Sequence, residues 1–388
     1  MSHDYNKEAL ELHKANHGKI ELASKVPMND KDDLSRAYTP GVAEVCREIA
    51  RKKEEGGMEA EIAAAREYTL KRNTVAIVTD GSAILGLGNL GPLAAIPVME
   101  GKAAILKSFA GVDAFPICLD TQDTEEIIKA VKQIAPVFGA INLEDIAAPR
   151  CFEIEERLRK ELNIPVMHDD QWGTATVVLG GLINALTVTG RTGKDVKIVV
   201  NGVGSAGVAT SRLLLSYGFT NILFCDSKGI IHEGREELNK EKVELITQST
   251  LTGFEGTLAD AIKGADVFIG VSKAGALTKE MACSMNTDGI VFALANPTPE
   301  IMPDIAKEAG IAVIATGRSD FANQLNNSLI FPGLFKGVLD AHVKQFDITM
   351  FTRAALALAK HVKSPSKENI LPTMFDTDLV SVIAETVT

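Results

Sequence analysis

Residues 197–207 read Lys-Ile-Val-Val-Asn-Gly-Val-Gly-Ser-Ala-Gly, and this stretch decides the fold of the second half of the chain. Lys197 to Asn201 has the apolar character of a buried strand, and Gly202 to Gly207 follows it without a spacer. A helix is predicted next, and then a second strand that ends at Asp226. A strand, a glycine turn, a helix, a strand and an acid in this order predict a parallel sheet that binds a dinucleotide.

The parts of this pattern have different physical tasks. The glycines let backbone N–H groups and the start of the helix approach a pyrophosphate. Asp226 is placed to accept hydrogen bonds from the adenosine ribose, and its charge repels a 2′-phosphate, which favours NAD. Ser227 and Lys228 follow at once and could accept that phosphate, so NADP is the alternative. The predicted residues of the glycine turn are Gly202, Val203, Gly204, Ser205, Ala206 and Gly207.

Two pairs of adjacent acids form the second feature of the chain. Asp169-Asp170 follows a short apolar strand signal, and Glu144-Asp145 follows a strand predicted over Val137 to Leu143. The carboxyl ends of parallel strands meet at one edge of a sheet, so the two pairs could converge there. Carboxylates are the protein ligands that Mg²⁺ and Mn²⁺ prefer. For either pair alone, a helix cap or surface turn is an equally good interpretation.

Length and composition predict the number of domains, the kind of partner and the cellular compartment. A length of 388 residues predicts about two domains, and a net charge of −11 argues against a nucleic-acid or anionic-membrane partner. The five cysteines are scattered, which predicts a reducing compartment without a disulfide framework or zinc cluster. The uncharged residues 173–190 predict a closely packed buried helix rather than a membrane span. We therefore expect a cytoplasmic protein with a small-molecule partner.

Strand and helix signals predict the domain organisation. Residues 1 to about 70 carry mainly helical patterns, and strands and helices then alternate through the first half. We expect an α/β protein with residues 1–162 as a first domain and residues 163–388 as a dinucleotide-binding domain with C-terminal helices. Residues 152–162 are predicted to form a charged surface helix.

Three further features have ordinary structural interpretations. Gly86 to Gly91 matches G-x-G-x-x-G, but the preceding strand ends too early, so a tight loop that shapes a pocket is predicted. Lys102 is predicted to open an apolar helix, where lysine is usually solvated. Tyr38 lies beside the Pro40-Gly41 turn, where a tyrosine commonly packs its ring and leaves its hydroxyl in water.

Taken together, the motifs closely resemble those of the malic enzymes of the short prokaryotic type, nearly from end to end. The resemblance rests on motifs at residues 38–42, 86–91, 101–102, 144–145, 169–174, 295–300 and 331–333. It departs from the larger, eukaryotic-type enzymes at Ala83, where those have an arginine that contacts the substrate. The group that neutralises the second malate carboxylate is therefore unassigned.

The resemblance implies an α/β malic domain followed by a Rossmann-type NAD(P) domain. It also implies oxidative decarboxylation of L-malate to pyruvate and CO₂, and decarboxylation of oxaloacetate, with NAD or NADP and Mg²⁺ or Mn²⁺. The implied metal ligands are Glu144, Asp145 and Asp170. A neutral Lys102 would be the base and Tyr38 the acid, with Asp169 in support. Asn296 and Asn326 would orient nicotinamide and substrate, and the family implies a homodimer with Tyr38 at a site on the partner.

Two rival functions are open at this point. A malolactic enzyme resembles the same family, uses the same metal and NAD, and releases lactate. A catalytically silent NAD-binding regulator on the same fold is the second alternative. The presence of Tyr38, Lys102 and the acid pairs argues against a regulator, which would have no need of them.

Overall fold

The computed structural model describes residues 5–191 and 193–388, and its N-terminal part is helical, as predicted. The helices are α1 (Tyr5–Asn16), α2 (Lys31–Ala37) and α3 (Val42–Tyr68), and a 3₁₀ turn at Leu70–Asn73 follows. Helix α1 buries no residue and α3 buries only Ala64. These helices therefore present broad uncovered faces within this chain.

A four-stranded parallel sheet organises the rest of the first half. Its elements are β1 (Thr74–Thr79), α4 (Pro92–Ala110), β2 (Asp113–Cys118), α5 (Thr124–Ile134), β3 (Ala140–Leu143), α6 (Arg150–Glu161) and β4 (Val166–His168). The strand order is β2-β1-β3-β4, and every pairing is parallel. Because β3 and β4 are neighbours, the residues that follow them lie at the same edge of the sheet.

Three predictions in this half need correction. Lys102 lies in the interior of α4, because the helix begins ten residues earlier at a favourable N-terminal proline. The strand predicted from Val137 to Leu143 begins only at Ala140, because Ala135–Val137 is a 3₁₀ turn. Helix α6 is not simply a surface helix, because one of its faces, including Glu155, is buried.

Helix α7 (Asp169–Val188) joins the two halves, and most of its residues are buried. It packs against α8 (Ser205–Tyr217) and α14 (Ile348–His361), as its uncharged sequence predicts. In the described part of the chain, no helix is both long enough and apolar enough to span a membrane.

The second half contains a six-stranded sheet. Its strands are β5 (Ile198–Asn201), β6 (Ile222–Asp226), β7 (Gly229–Ile230), β8 (Val267–Gly270), β9 (Ile290–Ala293) and β10 (Val313–Thr316). The order is β10-β9-β8-β5-β6-β7, and only β7 is antiparallel. The order reverses at β5, which is the switch point of a doubly wound dinucleotide-binding fold, so the predicted α/β class is confirmed.

The remaining helices complete this half. They are α9 (Lys240–Gln248), α10 (Leu258–Ile262), α11 (Lys279–Cys283), α12 (Pro303–Glu308), α13 (Phe331–Asp340) and α15 (Leu379–Ala384). Helix α13 also packs against α4 and β3, so the C-terminal part of the chain reaches the first sheet. A domain division after residue 162 stays a prediction, but β4, which follows it, is paired in the first sheet.

Candidate active site

The two acid pairs meet at the carboxyl edge of the first sheet. Glu144 and Asp145 follow β3, and Asp170 lies in the first turn of α7 directly after β4. One carboxylate oxygen from each residue lies within 4.8 Å of the others. The backbone N–H of Asp145 donates to Asp170 Oδ2 at 2.8 Å, which fixes the two segments relative to each other.

The chemistry of this cluster fits a divalent cation. Oδ2 of Asp145 is buried and has no hydrogen-bond partner in residues 5–191 and 193–388. Burial, and then the charge of Asp170, raise the pKa of Asp145 to about 8, and burial holds the pKa of Glu144 well above its usual range. A hard cation stabilises carboxylates that lie close together, and it can bind an oxygen that has no hydrogen-bond partner.

Lys102 lies against this cluster and is only 8% exposed. Its Nζ donates to Asp169 Oδ2 and lies 3.0 Å from Glu144 Oε1, and it sits 4.3 Å from the centre of the Phe331 ring. Burial by itself lowers the pKa of Lys102, but the charges of Asp169 and Glu144 outweigh it and raise that pKa. These acids favour the charged form of Lys102, whereas the resemblance implies a neutral base.

Asp169 is fully buried, and a glycine makes room for it. A Cβ atom at Gly173 would lie 2.0 Å from Asp169 Oδ1 and 3.0 Å from Asn327 Cβ. Gly173 therefore lets the Asp169 side chain and the turn at Asn327–Leu329 approach the first turn of α7. That turn begins after Asn326, whose Oδ1 accepts from the N–H of Ser328 at 2.9 Å.

Glu155 is a site residue that the sequence interpretation missed. Its carboxylate accepts from His168 N at 3.0 Å, from Gln171 Nε2 at 3.1 Å and from Trp172 Nε1 at 3.1 Å. It thus holds both sides of the Asp169-Asp170 pair, although burial raises its own pKa. The available signal was its helical spacing from Cys151 and Leu158, which places it on the apolar face of α6.

Arg150 is a second residue that was missed. Its Nη2 donates to Asp80 Oδ2 at 2.8 Å and to Ser82 Oγ at 3.1 Å. The same loop is tied to the acid cluster, because Ala83 N donates to the carbonyl oxygen of Asp145 at 3.0 Å. Nε of Arg150 is buried and lacks a partner in the described residues. A cation therefore lies against the loop that contains Ala83.

The structure does not bring Tyr38 into this cluster within the chain. Tyr38 ends α2 and is 65% exposed. No hydrogen bond in the described part of the chain joins it to Lys102 or to the acids. Asn296 is also exposed, and its backbone lies against the glycine loop, since a Cβ at Gly86 would be 1.6 Å from Asn296 O. The Gly86 loop is therefore a tight loop, as predicted.

The glycine turn after β5 has the geometry that a dinucleotide requires. Gly202 has a φ of 102°, which favours glycine, and a Cβ at Gly207 would lie 1.8 Å from Gly202 O. Nothing lies within 4 Å of a Cβ position at Gly204, directly before the start of α8. The first and third glycines thus serve the turn and the packing, and the second leaves the helix N-terminus open to a pyrophosphate.

Asp226 lies at the far end of this site, beside a cavity of about 460 Å³ that Gly202 also lines. Its carboxylate receives hydrogen bonds from Arg235, Lys242 and the backbone N–H of Lys228. Burial alone would raise the pKa of Asp226, but the bonds from Arg235 and Lys242 lower it to about 2. Both cations were missed, because they come from segments beyond the motif.

Comparison with known proteins agrees with this geometry. The family profile described as "Malic enzyme, N-terminal domain" matches residues 17–159, and "Malic enzyme, NAD binding domain" matches residues 172–388. The chain is 52% identical to a bifunctional malic/malolactic enzyme of Bacillus subtilis, covering 98% of this chain and 91% of the relative. It is 51% identical to an NAD-dependent malic enzyme of Geobacillus stearothermophilus, covering 95% and 76% respectively.

A solved structure shows the same fold over nearly the whole length. The crystal structure of an NAD-dependent malic enzyme from Thermotoga maritima superposes with a TM-score of 0.92 at 46% identity, and covers 98% of both chains. The profiles together span most of the sequence, and the relatives are far above the identity at which only the fold is shared. This chain belongs to the malic enzyme family.

Proposed function

We propose that this protein oxidatively decarboxylates L-malate to pyruvate and CO₂, reduces NAD, and depends on Mg²⁺ or Mn²⁺. The observation that carries the proposal is the contact between Lys102 and the acid cluster, at 3.0 Å from Nζ to Glu144 Oε1. It combines a proton-transfer group with a cation site in one buried place. The glycine turn on the same chain would bind the nicotinamide dinucleotide that accepts the hydride.

Glu144, Asp145 and Asp170 would hold the metal ion, which when bound polarises the hydroxyl and carboxylate oxygens of malate as a Lewis acid. Asp169 holds Lys102 by a direct hydrogen bond and so orients Nζ. Asn296 and Asn326 orient the nicotinamide and the substrate.

Lys102 would take the hydroxyl proton of malate at Nζ, and a nicotinamide dinucleotide bound at the glycine turn would supply the hydride-accepting chemistry. For this, Nζ must be neutral, whereas the surrounding carboxylates favour its charged form. Neutralisation of Glu144 and Asp170 by a bound cation removes much of that attraction. Because Lys102 contacts Glu144, a metal ion bound at the acid cluster would favour the neutral form of Lys102 that can act as a base.

Tyr38 would protonate the carbon atom that loses CO₂. Tyr38 is 65% exposed, and the N-terminal helices of the chain are largely uncovered. We propose that a second copy covers this face in a homodimer and that Tyr38 serves the site of the partner. The position of Asp226 at the end of β6 supports NAD as the preferred cofactor, with NADP as the alternative.

The deciding experiment measures malate-dependent formation of NADH and of NADPH by the purified protein, with and without Mn²⁺ after chelation. Metal-dependent NADH formation with stoichiometric pyruvate is the expected result. Decarboxylation of added oxaloacetate is followed in parallel. Full activity after exhaustive chelation, or no pyruvate at all, would contradict the proposal.

A malolactic activity is the second candidate, because the Bacillus subtilis relative is named for both activities. In that reaction the bound NADH is used again, and lactate leaves the enzyme. Lactate formation from malate without accumulation of NADH identifies it. Pyruvate and NADH in equal amounts identify the malic reaction.

A further inference from the structure

The carboxylate of Asp226 is saturated with donors before any cofactor binds. Oδ1 accepts from Lys228 N and Arg235 Nη1, each at 2.9 Å, and Oδ2 accepts from Arg235 Nη2 at 2.9 Å and Lys242 Nζ at 2.8 Å. A carboxylate has about four lone-pair positions for hydrogen bonds. The ribose of a dinucleotide therefore meets an occupied carboxylate rather than a free acceptor.

The charge around Asp226 is also not what the position of this acid alone predicts. One carboxylate is set against two cations, Arg235 and Lys242, whose side chains are only 14% and 20% exposed. In the described residues, neither cation has another carboxylate partner. The group of three therefore carries one net positive charge. A phosphate dianion placed beside it would find more attraction than repulsion.

The two cations differ in how firmly they are held. Arg235 binds both oxygens of Asp226 in a fork, and its Nη1 also lies 3.3 Å from the carbonyl oxygen of Ile230. Lys242 makes one hydrogen bond through Nζ, at the end of a flexible four-carbon stem. It stands in the first turn of α9, where the N–H groups of the helix favour a nearby anion. Lys242 is the cation that can change partner.

We propose that Lys242, with Arg235 in support, determines the choice between NAD and NADP, because Asp226 and the 2′-phosphate of NADP compete for these two cations. The inference rests on the proposed function only in taking the cofactor to be a nicotinamide dinucleotide. While Asp226 holds both cations, a 2′-phosphate must take a hydrogen-bond partner away from it, and this cost favours NAD. The preference is modest, because the cations that would bind a 2′-phosphate are already in place.

Binding of NADH and NADPH to the full-length protein tests this, followed by nicotinamide fluorescence without malate or metal. Lys242→Met should weaken NADPH by about tenfold or more, as for loss of one charge-assisted hydrogen bond, and change NADH by about twofold or less. Lys240→Met is the matched control, since Lys240 is exposed on the same helix and makes no contact with Asp226. It should leave the NADPH to NADH ratio unchanged.

Two further variants make the test independent of one substitution. Asp226→Asn frees the cations and should tighten NADPH while it weakens NADH, and added salt should oppose the gain. Lys228→Met tests the neighbouring lysine, which is exposed and paired with Glu237 instead.

Equal losses of NADH and NADPH in Lys242→Met, or a selective loss in Lys228→Met alone, would overturn the proposal. So would an unchanged NADPH to NADH ratio in Asp226→Asn, which remains informative if Lys242→Met does not fold. These binding measurements need neither malate nor turnover, so their outcome does not depend on whether the proposed reaction is correct.

Discussion

Nζ of Lys102 lies 3.0 Å from Oε1 of Glu144, so the proposed base and a proposed metal ligand are in direct contact. Both side chains are almost completely buried, and Asp169 holds Lys102 from another side. A cation bound at Glu144 and the ammonium of Lys102 therefore repel each other. Loss of the lysine should affect metal binding and catalysis in opposite directions.

Lys102→Met tests this relationship, because methionine keeps an apolar stem beside Phe331 and removes only the amine. Turnover of malate should fall about 10²–10⁴-fold, the usual contribution of a positioned general base. The affinity for Mn²⁺ should stay equal or rise, because a competing positive charge is gone. Steady-state NADH formation and Mn²⁺ titration of the cofactor-free protein measure the two effects. A parallel loss of metal affinity would contradict the argument.

Asp170→Asn and Asp169→Asn form a matched pair of substitutions at adjacent positions. Asp170 belongs to the acid cluster, whereas Asp169 bonds to Lys102. Asp170→Asn should raise the Mn²⁺ concentration needed for half-maximal binding by about tenfold or more, because one anionic ligand is lost. Asp169→Asn should lower turnover with a smaller change in Mn²⁺ binding. Identical Mn²⁺ curves for Asp170→Asn and the wild type would remove Asp170 from the metal site.

Glu155→Gln tests how the acid pair is held. A glutamine offers one acceptor oxygen where the carboxylate offers two, so a donor among His168 N, Gln171 and Trp172 is left unpaired. The free energy of unfolding should fall by about 1–3 kcal/mol, and Mn²⁺ should bind more weakly. Glu156→Gln on the same helix is the control, since Glu156 is exposed and pairs with Lys160. Denaturant unfolding and Mn²⁺ titration check both, and equal results for the two variants would contradict this role.

Features fixed by local pattern could be predicted from the sequence. The bounds of β1 and α5 match an apolar run and an amphipathic period in the sequence, and in the structure Asp123 caps the start of α5. Convergence of the acid pairs could also be predicted, because parallel neighbours share a carboxyl edge. The glycine turn needed only its order of strand, turn, helix and acid.

Features that depend on packing between distant segments could not be predicted. The place of Lys102 inside α4 was missed because the first turn of that helix, which starts at Pro92, has neither an acid nor a side-chain cap. Glu155 meets residues 168–172, and Asp226 meets Arg235 and Lys242, through tertiary contacts. A single sequence gives residue types and spacing, and it does not say which buried charge finds which partner.

The lowered pKa of Lys71, which lies outside the acid cluster, should make the stability of the protein depend on pH. Its Nζ donates to the carbonyl oxygens of Ala135, Pro136 and Phe138, and burial, then the charge of Arg66, lower its pKa from 10.5 to about 8. Between these two values the unfolded chain binds more protons than the folded one. The contribution to stability therefore rises as pH increases from about 8 towards 10.5.

Comparison with Lys71→Met isolates this effect. The variant leaves the three carbonyls without their donor, a cost that does not change with pH. The difference in unfolding free energy between wild type and variant should therefore grow in favour of the wild type from about pH 7 to about pH 9.5. Urea unfolding at both values measures it. A difference that stays constant would show that Lys71 keeps an ordinary pKa.

Tyr38→Phe separates proton donation from hydride transfer. If Tyr38 acts only after CO₂ is lost, the variant should still form enzyme-bound NADH in a first turnover. Release of pyruvate should then be slow, because the carbon atom lacks its proton donor. Rapid-mixing measurement of NADH against steady-state pyruvate gives the comparison. If hydride transfer is lost as completely as in Lys102→Met, in a folded protein that binds cofactor and metal, this division of roles is wrong.

Subunit mixing then decides which site Tyr38 serves. In a mixed dimer of Tyr38→Phe and Lys102→Met chains, exchange of the tyrosine across the interface creates one site with both side chains intact. If Tyr38 serves its own chain, every site lacks one of them. Random co-assembly of the two variants should therefore restore roughly a quarter of wild-type activity only if Tyr38 crosses the interface. Each variant assembled alone is the control. Activity of the mixture no higher than that of the separate variants would place Tyr38 in its own site or outside the reaction.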